Sequence, residues 1–523
     1  MTPRRLPLAV PVFCVLAGVF LLVAGRERPY GDARIVYEVA ESMLDGSIAI
    51  KTEWKPMSHK GADGRVYSQY AILPSLAHLP GRVLYSKLWR KREAGVPGAK
   101  LTLVLTSHVA PALSAALACA LLFAVGARLA RRRSALVATG IVAFGSLVFV
   151  YARYPMSEAV QAACVMGFVY ELVRIVRGEH QLRRGIALGA WAGAVVNAKS
   201  VLLLGVVGGA LAAAILVRER AALKRLALGA VAGGLPWLVL LLAYNHARWG
   251  SPLDTGYGET LGMMRESIPT GLLGLLVSPG KGLLWFSPVI LLSVIALARG
   301  WRDHHGLVIV VLAVVVPPLV FYARFLSWSG DYCWGPRYLV FAIAPLSILL
   351  APWLEQLTGR VRRWLVRGVV AVGVVVQLLG ASLFWDHWIR LSREARLEWL
   401  GHPNRSGAAI AEAGRGHCDS CFEDMYGHQW LPPLSPIAGH VWLLAHAIPG
   451  DSWDEAQASA PWRRYTTLDL RRPRSIYEEV RLDWWALETT RGTKKIAVAY
   501  ALVAGALVAA GVVVLRRRRK EEA

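Results

Sequence analysis

Uncharged apolar blocks of roughly 20 residues alternate with short basic stretches along the chain, and about 20 residues is what a helix needs to cross a ~30 Å hydrocarbon core. The blocks fall near 7–25, 101–127, 134–152, 157–176, 185–198, 200–217, 226–245, 283–299, 306–325, 338–353, 365–385 and 496–515, which predicts 12 membrane-spanning helices. The first follows Arg4 and Arg5 and runs into Gly25-Arg26-Glu27-Arg28 without a small-residue cleavage site, so it is read as a retained anchor. Asn197 and Lys199 interrupt the boundary between the fifth and sixth blocks. A short span, a break on the outer side and a return are expected there.

Charge then orients the array. With the N-terminus inside, the inner segments hold 25 Lys and Arg, including the cluster Arg516 to Lys520, and the short outer loops hold 7. By the positive-inside rule both termini are cytoplasmic. The net charge of +24 over 523 residues is therefore a matter of topology, and no nucleic-acid partner is implied. A composition that is 55% hydrophobic also excludes a disordered chain, a collagen and a disulfide-knit secreted scaffold. High Arg, Ala, Gly and Val content with no organelle signal suggests a bacterial inner membrane.

Two long segments fall outside, 26–99 and 386–494. The second is nearly neutral, with 13 basic and 15 acidic residues, and carries eight of the 20 Trp. Such density suggests a compact outer cap, its Trp residues lying at the membrane interface or binding carbohydrate, the interface being the simpler reading. Cys14, Cys119 and Cys164 lie in spans as small apolar residues. Cys418 and Cys421 sit in the cap, where a local disulfide or free thiols are favoured over zinc, although His417 and His428 are nearby. The fold class expected is an all-α polytopic membrane protein with a long first outer loop and a small mixed outer domain before the last span.

Ionisable residues at or just outside membrane depth point to function. Tyr30-Gly31-Asp32 opens the first outer loop, and a helix follows with Ile35, Val39, Ser42 and Met43 near one face and Asp45-Gly46 ending it. An Asp there either caps the helix or does chemistry. Gly61-x-Asp63-Gly64-Arg65-x-Tyr67-Ser68-x-Tyr70 reads as a turn, with Lys60, Arg65 and Tyr67 near headgroup phosphates or merely snorkelling. The segment after it, to Tyr85, is broken by Pro74 and Pro80 and should lie along the interface. Glu158 starts a span, where the helix dipole alone would tolerate it. Lys199 at the break is a candidate for an anionic group. Trp249-Gly250-Ser251-Pro252, Ser278-Pro279-Gly280-Lys281-Gly282 and Trp334-Gly335-Pro336-Arg337-Tyr338 complete the set, all on the outer side.

In this order, these strings and the span layout resemble the integral-membrane GT-C glycosyltransferases, in particular the bacterial branch similar to aminoarabinose transferases and protein O-mannosyltransferases. The resemblance covers nearly the whole chain: residues 1–385 as the transmembrane catalytic module, 386–494 as a periplasmic cap, and 495–523 as the last span and basic tail. It implies transfer of a sugar from a polyprenyl-phosphate donor, held with membrane lipid, to a glycan, glycolipid or protein acceptor on the outer face. Asp32 is the expected catalytic base, with inversion at the anomeric carbon. Glu158 resembles the family's second outer-loop acid, which positions the acceptor or binds a metal. Lys199, Lys281 and Arg337 are the expected phosphate ligands, with Lys60, Arg65 and Tyr67 behind them. Many relatives have Asp-Glu after the first span. This chain has Asp32-Ala33, which puts a second acidic role at 33 in doubt. No cofactor is required by the chemistry, and Mg or Mn use is left open.

The competing reading is a transporter or flippase of lipid-linked sugars, which would use the broken helix at Asn197 to Ser200. The chain halves show no repeat, and the polar strings gather at one face rather than at the midplane. A non-enzymatic envelope scaffold, the third reading, would leave Asp32 and Glu158 replaceable.

Overall fold

In the computed structural model, residues 8–55, 57–89, 97–399 and 426–522 are described. They form a helical protein whose sheet is a single two-stranded hairpin, Ser58–Lys60 paired antiparallel with Val66–Ser68. Cys418 and Cys421 lie outside the described residues, as does His417.

Among the described residues, six helices are long and apolar enough to cross a membrane: Gly98–Leu129, Glu158–Val176, Arg220–Trp249, Ile290–Ala323, Arg360–Ser382 and Arg491–Arg517. The twelve crossings counted from the sequence also draw on shorter helices such as Ala9–Leu22 and Ser200–Leu216. Two expected spans, 283–299 and 306–325, are joined in Ile290–Ala323, and the helix bends at His304 (φ −138°, ψ 32°). A straight helix of its 34 residues would be about 50 Å long, well beyond the hydrocarbon core.

Helices approach closely where glycines allow it. A Cβ on Gly189 would lie 2.0 Å from the carbonyl oxygen of Ala230, and one on Gly233 would lie 2.0 Å from that of Ile186. These contacts lock Leu182–Ala198 against Arg220–Trp249 in the manner of small-residue packing in membranes. At the chain ends, Gly18 rests against Ala504, and Gly511 against Pro11, so the first and last helices pack side by side.

The long loop after the first helix follows its sequence pattern closely. Helix Asp32–Met43 buries Ile35, Val36, Val39 and Ala40 and ends before Gly46, whose φ is 73°. The turn read at 61–64 connects the hairpin strands, with Gly64 at φ 78°. One expectation changes: Ile72–Trp89 is continuous through Pro80 rather than broken there.

The segment after Ser382 differs more. Among the described residues its elements are short helices, and its β contact is the isolated bridge between Leu383 and Leu482, so its expected mixed character is corrected to helical. Five of its Trp residues are buried: Trp388 0%, Trp442 7%, Trp453 3%, Trp462 0% and Trp485 5% exposed. The first four pack with Tyr477 into one cluster with Leu391, Leu443 and Val480. A segment of short helices has few long aliphatic faces, and indole rings of large buried area supply its core instead. These rings are therefore spoken for by packing, not by the interface or a carbohydrate.

Candidate functional site

Asp32 is the first residue of its helix, preceded by Gly31 at φ 56°, ψ −132°, a conformation that only glycine adopts without strain. Its Oδ2 accepts a hydrogen bond from Arg337 Nη1 at 2.7 Å. Arg337 heads the short turn Arg337–Leu339 and is 8% exposed. It lies over Gly330 (φ 72°), where a Cβ would come within 2.7 Å of its Cγ. Its ring-stacked neighbour Tyr338 faces Tyr322 at 4.6 Å.

Lys199 comes from the break itself. The helix Leu182–Ala198 stops, Lys199 is extended (φ −161°, ψ 115°), and a 3-10 turn starts at Ser200. Its ammonium sits 5.4 Å from the centre of the Tyr70 ring. Glu158, 5% exposed at the start of Glu158–Val176, lies within electrostatic reach of Arg337, Asp32 and Lys199. Four segments far apart in sequence thus bring two carboxylates and two cations to one place.

Burial pushes the Asp32 carboxyl up, but the Arg337 guanidinium, the Lys199 ammonium and a hydrogen bond from the Tyr70 side chain outweigh it and hold Asp32 below the usual carboxylate range. Two polar atoms of this cluster, Glu158 Oε2 and Arg337 Nε, are buried without a hydrogen-bond partner among the described residues. A buried guanidinium nitrogen and carboxylate oxygen left open are costly in a resting protein, and the described residues supply neither with a partner.

The other predicted residues go elsewhere. Lys281 is fully buried, and its ammonium donates to the carbonyls of Asp331 (2.6 Å) and Cys333 (2.7 Å) and to Cys333 Sγ (3.2 Å). It braces the turn that leads into Arg337. Arg65 is exposed and pairs with Asp63 at 2.6 Å, and the Tyr67 hydroxyl donates to the same carboxylate at 2.8 Å. The Tyr67 hydroxyl and Arg65 together hold Asp63 down to about 2. Lys60 is exposed at the end of the first hairpin strand. The hairpin trio is therefore a local cluster, separate from the Asp32–Arg337 pair.

Three residues that matter here were not singled out from the sequence. The Tyr70 side chain lies beside Asp32 and helps to hold its carboxyl down. Arg248, 2% exposed, donates to the carbonyls of Ser68 (2.5 Å) and Tyr70 (3.3 Å) and to Asn245 Oδ1 (2.8 Å), fixing the backbone that carries Tyr70. Asp331 has φ 57°, the one non-glycine residue with positive φ among those described, and accepts from Ser327. Tyr70 stands inside the string 61–70, and Arg248 and Asp331 lie just before two other strings, but only the folded chain shows where each side chain goes.

Among the described residues no group of three or more His, Cys, Asp and Glu is placed to hold a metal ion. The two carboxylates of the cluster share their space with Arg337 and Lys199, so this donor set does not fit a divalent cation.

No family model matches the chain, and no curated protein matches it by sequence. Among solved structures, the chain is similar to ArnT from Cupriavidus metallidurans in the apo state, at 15% identity and a TM-score of 0.49, over 82% of this chain and 76% of that one. It is also similar to the Archaeoglobus fulgidus oligosaccharyltransferase in complex with zinc and sulfate, at 10% identity and a TM-score of 0.47, over 82% and 61% of the two chains. The archaeal oligosaccharyltransferase AglB from the same organism, with an inhibitory peptide and a dolichol-phosphate, gives 10% identity and a TM-score of 0.45 over 83% and 63%. The chain spans less than two thirds of the oligosaccharyltransferase chains.

Proposed function

We propose that the chain is a glycosyltransferase that moves a sugar from a polyprenyl-phosphate donor to an acceptor hydroxyl on the outer face of a bacterial plasma membrane. The observation that carries this reading is the pairing of Asp32 with Arg337 beside Lys199 and Glu158, with Arg337 Nε and Glu158 Oε2 unpartnered. A base must be ionised and next to cations that can take a departing phosphate, and this cluster supplies both.

In the reaction the acceptor oxygen bonds to the anomeric carbon as the bond from that carbon to the phosphate oxygen breaks. The hydroxyl proton goes to the Asp32 carboxylate, and the electron pair leaves on the polyprenyl phosphate. That phosphate is a good leaving group, so no general acid is needed. Arg337 keeps Asp32 with Nη1 and offers Nε to the phosphate, and Lys199 adds a point charge. Attack from the face opposite the phosphate inverts the anomeric centre. Glu158 accepts from an acceptor or sugar hydroxyl through its open oxygen. Lys281 and Arg248 act at one remove, setting the turn of Arg337 and the backbone of Tyr70. No step uses a metal.

The test compares wild type with Asp32→Asn in membranes at equal protein level and follows labelled sugar from the polyprenyl-phosphate pool into acceptor. Asn keeps the size and loses the proton acceptor. Transfer abolished in the variant is the expected result; unchanged transfer would remove Asp32 as base, and no transfer by wild type from a range of donors favours the transporter.

A further inference from the structure

A polar cavity of about 430 Å³ lies where the long loop after the first helix meets the segment after Ser382. Ligand sites commonly start at about 300 Å³. Its walls include Glu27, Tyr30, Lys100, Phe384, Asp386 and Arg390. Its charges are largely matched: Glu488 takes both Arg26 and Lys100 at 2.9 Å. Two adjacent residues are exceptions. His387 Nδ1 is buried with no partner among the described residues, and so is Oδ1 of Asp386, which is 4% exposed and whose Oδ2 has only Arg390 at 3.6 Å. The place of Asp386 in the first turn of helix Trp385–Trp399 accounts for a negative charge there, since the helix dipole favours it. It does not account for an oxygen left without a donor.

The cavity is tied to the Asp32 cluster by the chain itself. Tyr30, 51% exposed on the cavity wall, precedes Asp32 by two positions, with flexible-backboned Gly31 between. On the other side, residues 153–158 span both places. Arg153 donates to the carbonyls of Ala381 (2.7 Å) and Asp483 (2.6 Å), Tyr154 stacks on Phe384 at 5.3 Å, and Glu158 reaches the Asp32 cluster.

We infer that this cavity binds the sugar end of the acceptor, a neutral polyhydroxylated glycan; the role as acceptor, though not the binding, rests on the transferase reading. A sugar hydroxyl donates to Asp386 Oδ1, which needs a donor, and the exposed Tyr30 ring offers an apolar face to the C–H side of a sugar ring. The mixed walls select the class. Glu27, Glu479 and Glu488 oppose an anion, Arg26, Arg28 and Arg390 oppose a cation, and so many charges oppose an apolar ligand. A bound glycan then presents its next hydroxyl towards Asp32.

The experiment uses the full chain in nanodiscs, screened against an array of neutral and acidic oligosaccharides, with the best neutral binder titrated by thermophoresis. Undecaprenyl phosphate is titrated in the same samples. Expected is saturable binding of a neutral oligosaccharide that Asp386→Asn weakens at least tenfold while leaving undecaprenyl phosphate affinity unchanged. Tyr30→Ala, at a half-exposed position whose ring touches only Trp54 edge-on at 6.0 Å among the described rings, is expected to weaken it about fivefold and serves if the first variant is poorly folded. No neutral binder, a preference for acidic sugars, or equal affinity in both variants overturns the proposal. If oligosaccharide binding depends on Asp386 and Tyr30 but undecaprenyl phosphate does not bind wild type, the cavity stands and the transferase reading falls. Transfer that depends on Asp32 with oligosaccharide binding indifferent to Asp386 and Tyr30 sinks the cavity alone.

Discussion

Arg337 and Asp32, 305 positions apart, meet in a 2.7 Å charge-assisted hydrogen bond. One arm of the guanidinium is committed to the proposed base and another nitrogen is buried and open. On the proposed mechanism the pair neutralises a leaving phosphate without releasing the carboxylate.

Replacing Arg337 by Lys keeps a charge but loses the fork that reaches two partners. We expect kcat/KM for the donor to fall about 100-fold, the size of losing one preorganised transition-state donor. Steady-state transfer at varied donor concentration measures it; a loss under threefold would exclude the two-handed role.

Glu158→Gln removes an acceptor charge but not the proton acceptor. Transfer should drop about tenfold, against about 1,000-fold for Asp32→Asn, as general-base removal typically costs 10²–10⁴. Single-turnover rates with saturating donor separate the two. Equal losses would mean that the base has been assigned to one of two equivalent carboxylates.

The pH profile follows from the depressed carboxyl of Asp32. A base is lost when protonated, and its ionised form persists below the ordinary Asp value of about 4. Activity should therefore hold at pH 5, and Arg337→Gln should move the acid limb upward by about one unit or more. The stability sign is the same: the ion pair contributes above the unfolded-state value and is lost as pH falls through the folded one. The melting difference between wild type and Asp32→Asn should accordingly shrink below about pH 4. An acid limb unmoved by Arg337→Gln counts against this coupling.

Lys281→Met would leave the Asp331 and Cys333 carbonyls without their donor inside a buried turn. A loss of about 3 kcal/mol is expected, as for other broken buried charge contacts. Thermal unfolding in detergent should show a lower midpoint, while undecaprenyl phosphate affinity changes less than in Arg337→Ala. A midpoint equal to wild type would show that the turn holds without its brace.

Gly189→Leu tests the helix packing. Its Cβ would sit 2.0 Å from the Ala230 carbonyl oxygen, so the two helices must separate. Folded protein in the membrane should fall sharply, and the position of Lys199, at the end of the same helix, should be lost with it. Normal yield and activity would argue that the pair packs differently.

Hydrophobic periodicity and basic flanks were enough to read apolar helices, the break at Lys199, the helix from Asp32 and the turn at 61–64, because each depends on neighbours a few residues away. The close approach of Asp32 to Arg337, the capture of Lys281 by a turn 50 residues on, and the use of Trp388, Trp442, Trp453 and Trp462 as core depend on partners that local pattern does not specify. A Lys in a polar string looks the same whether its ammonium faces a ligand or two backbone carbonyls. Only the packing of distant helices, set by glycine contacts and buried area, decides which, and the same packing leaves Arg337 Nε and Glu158 Oε2 open and closes Lys281.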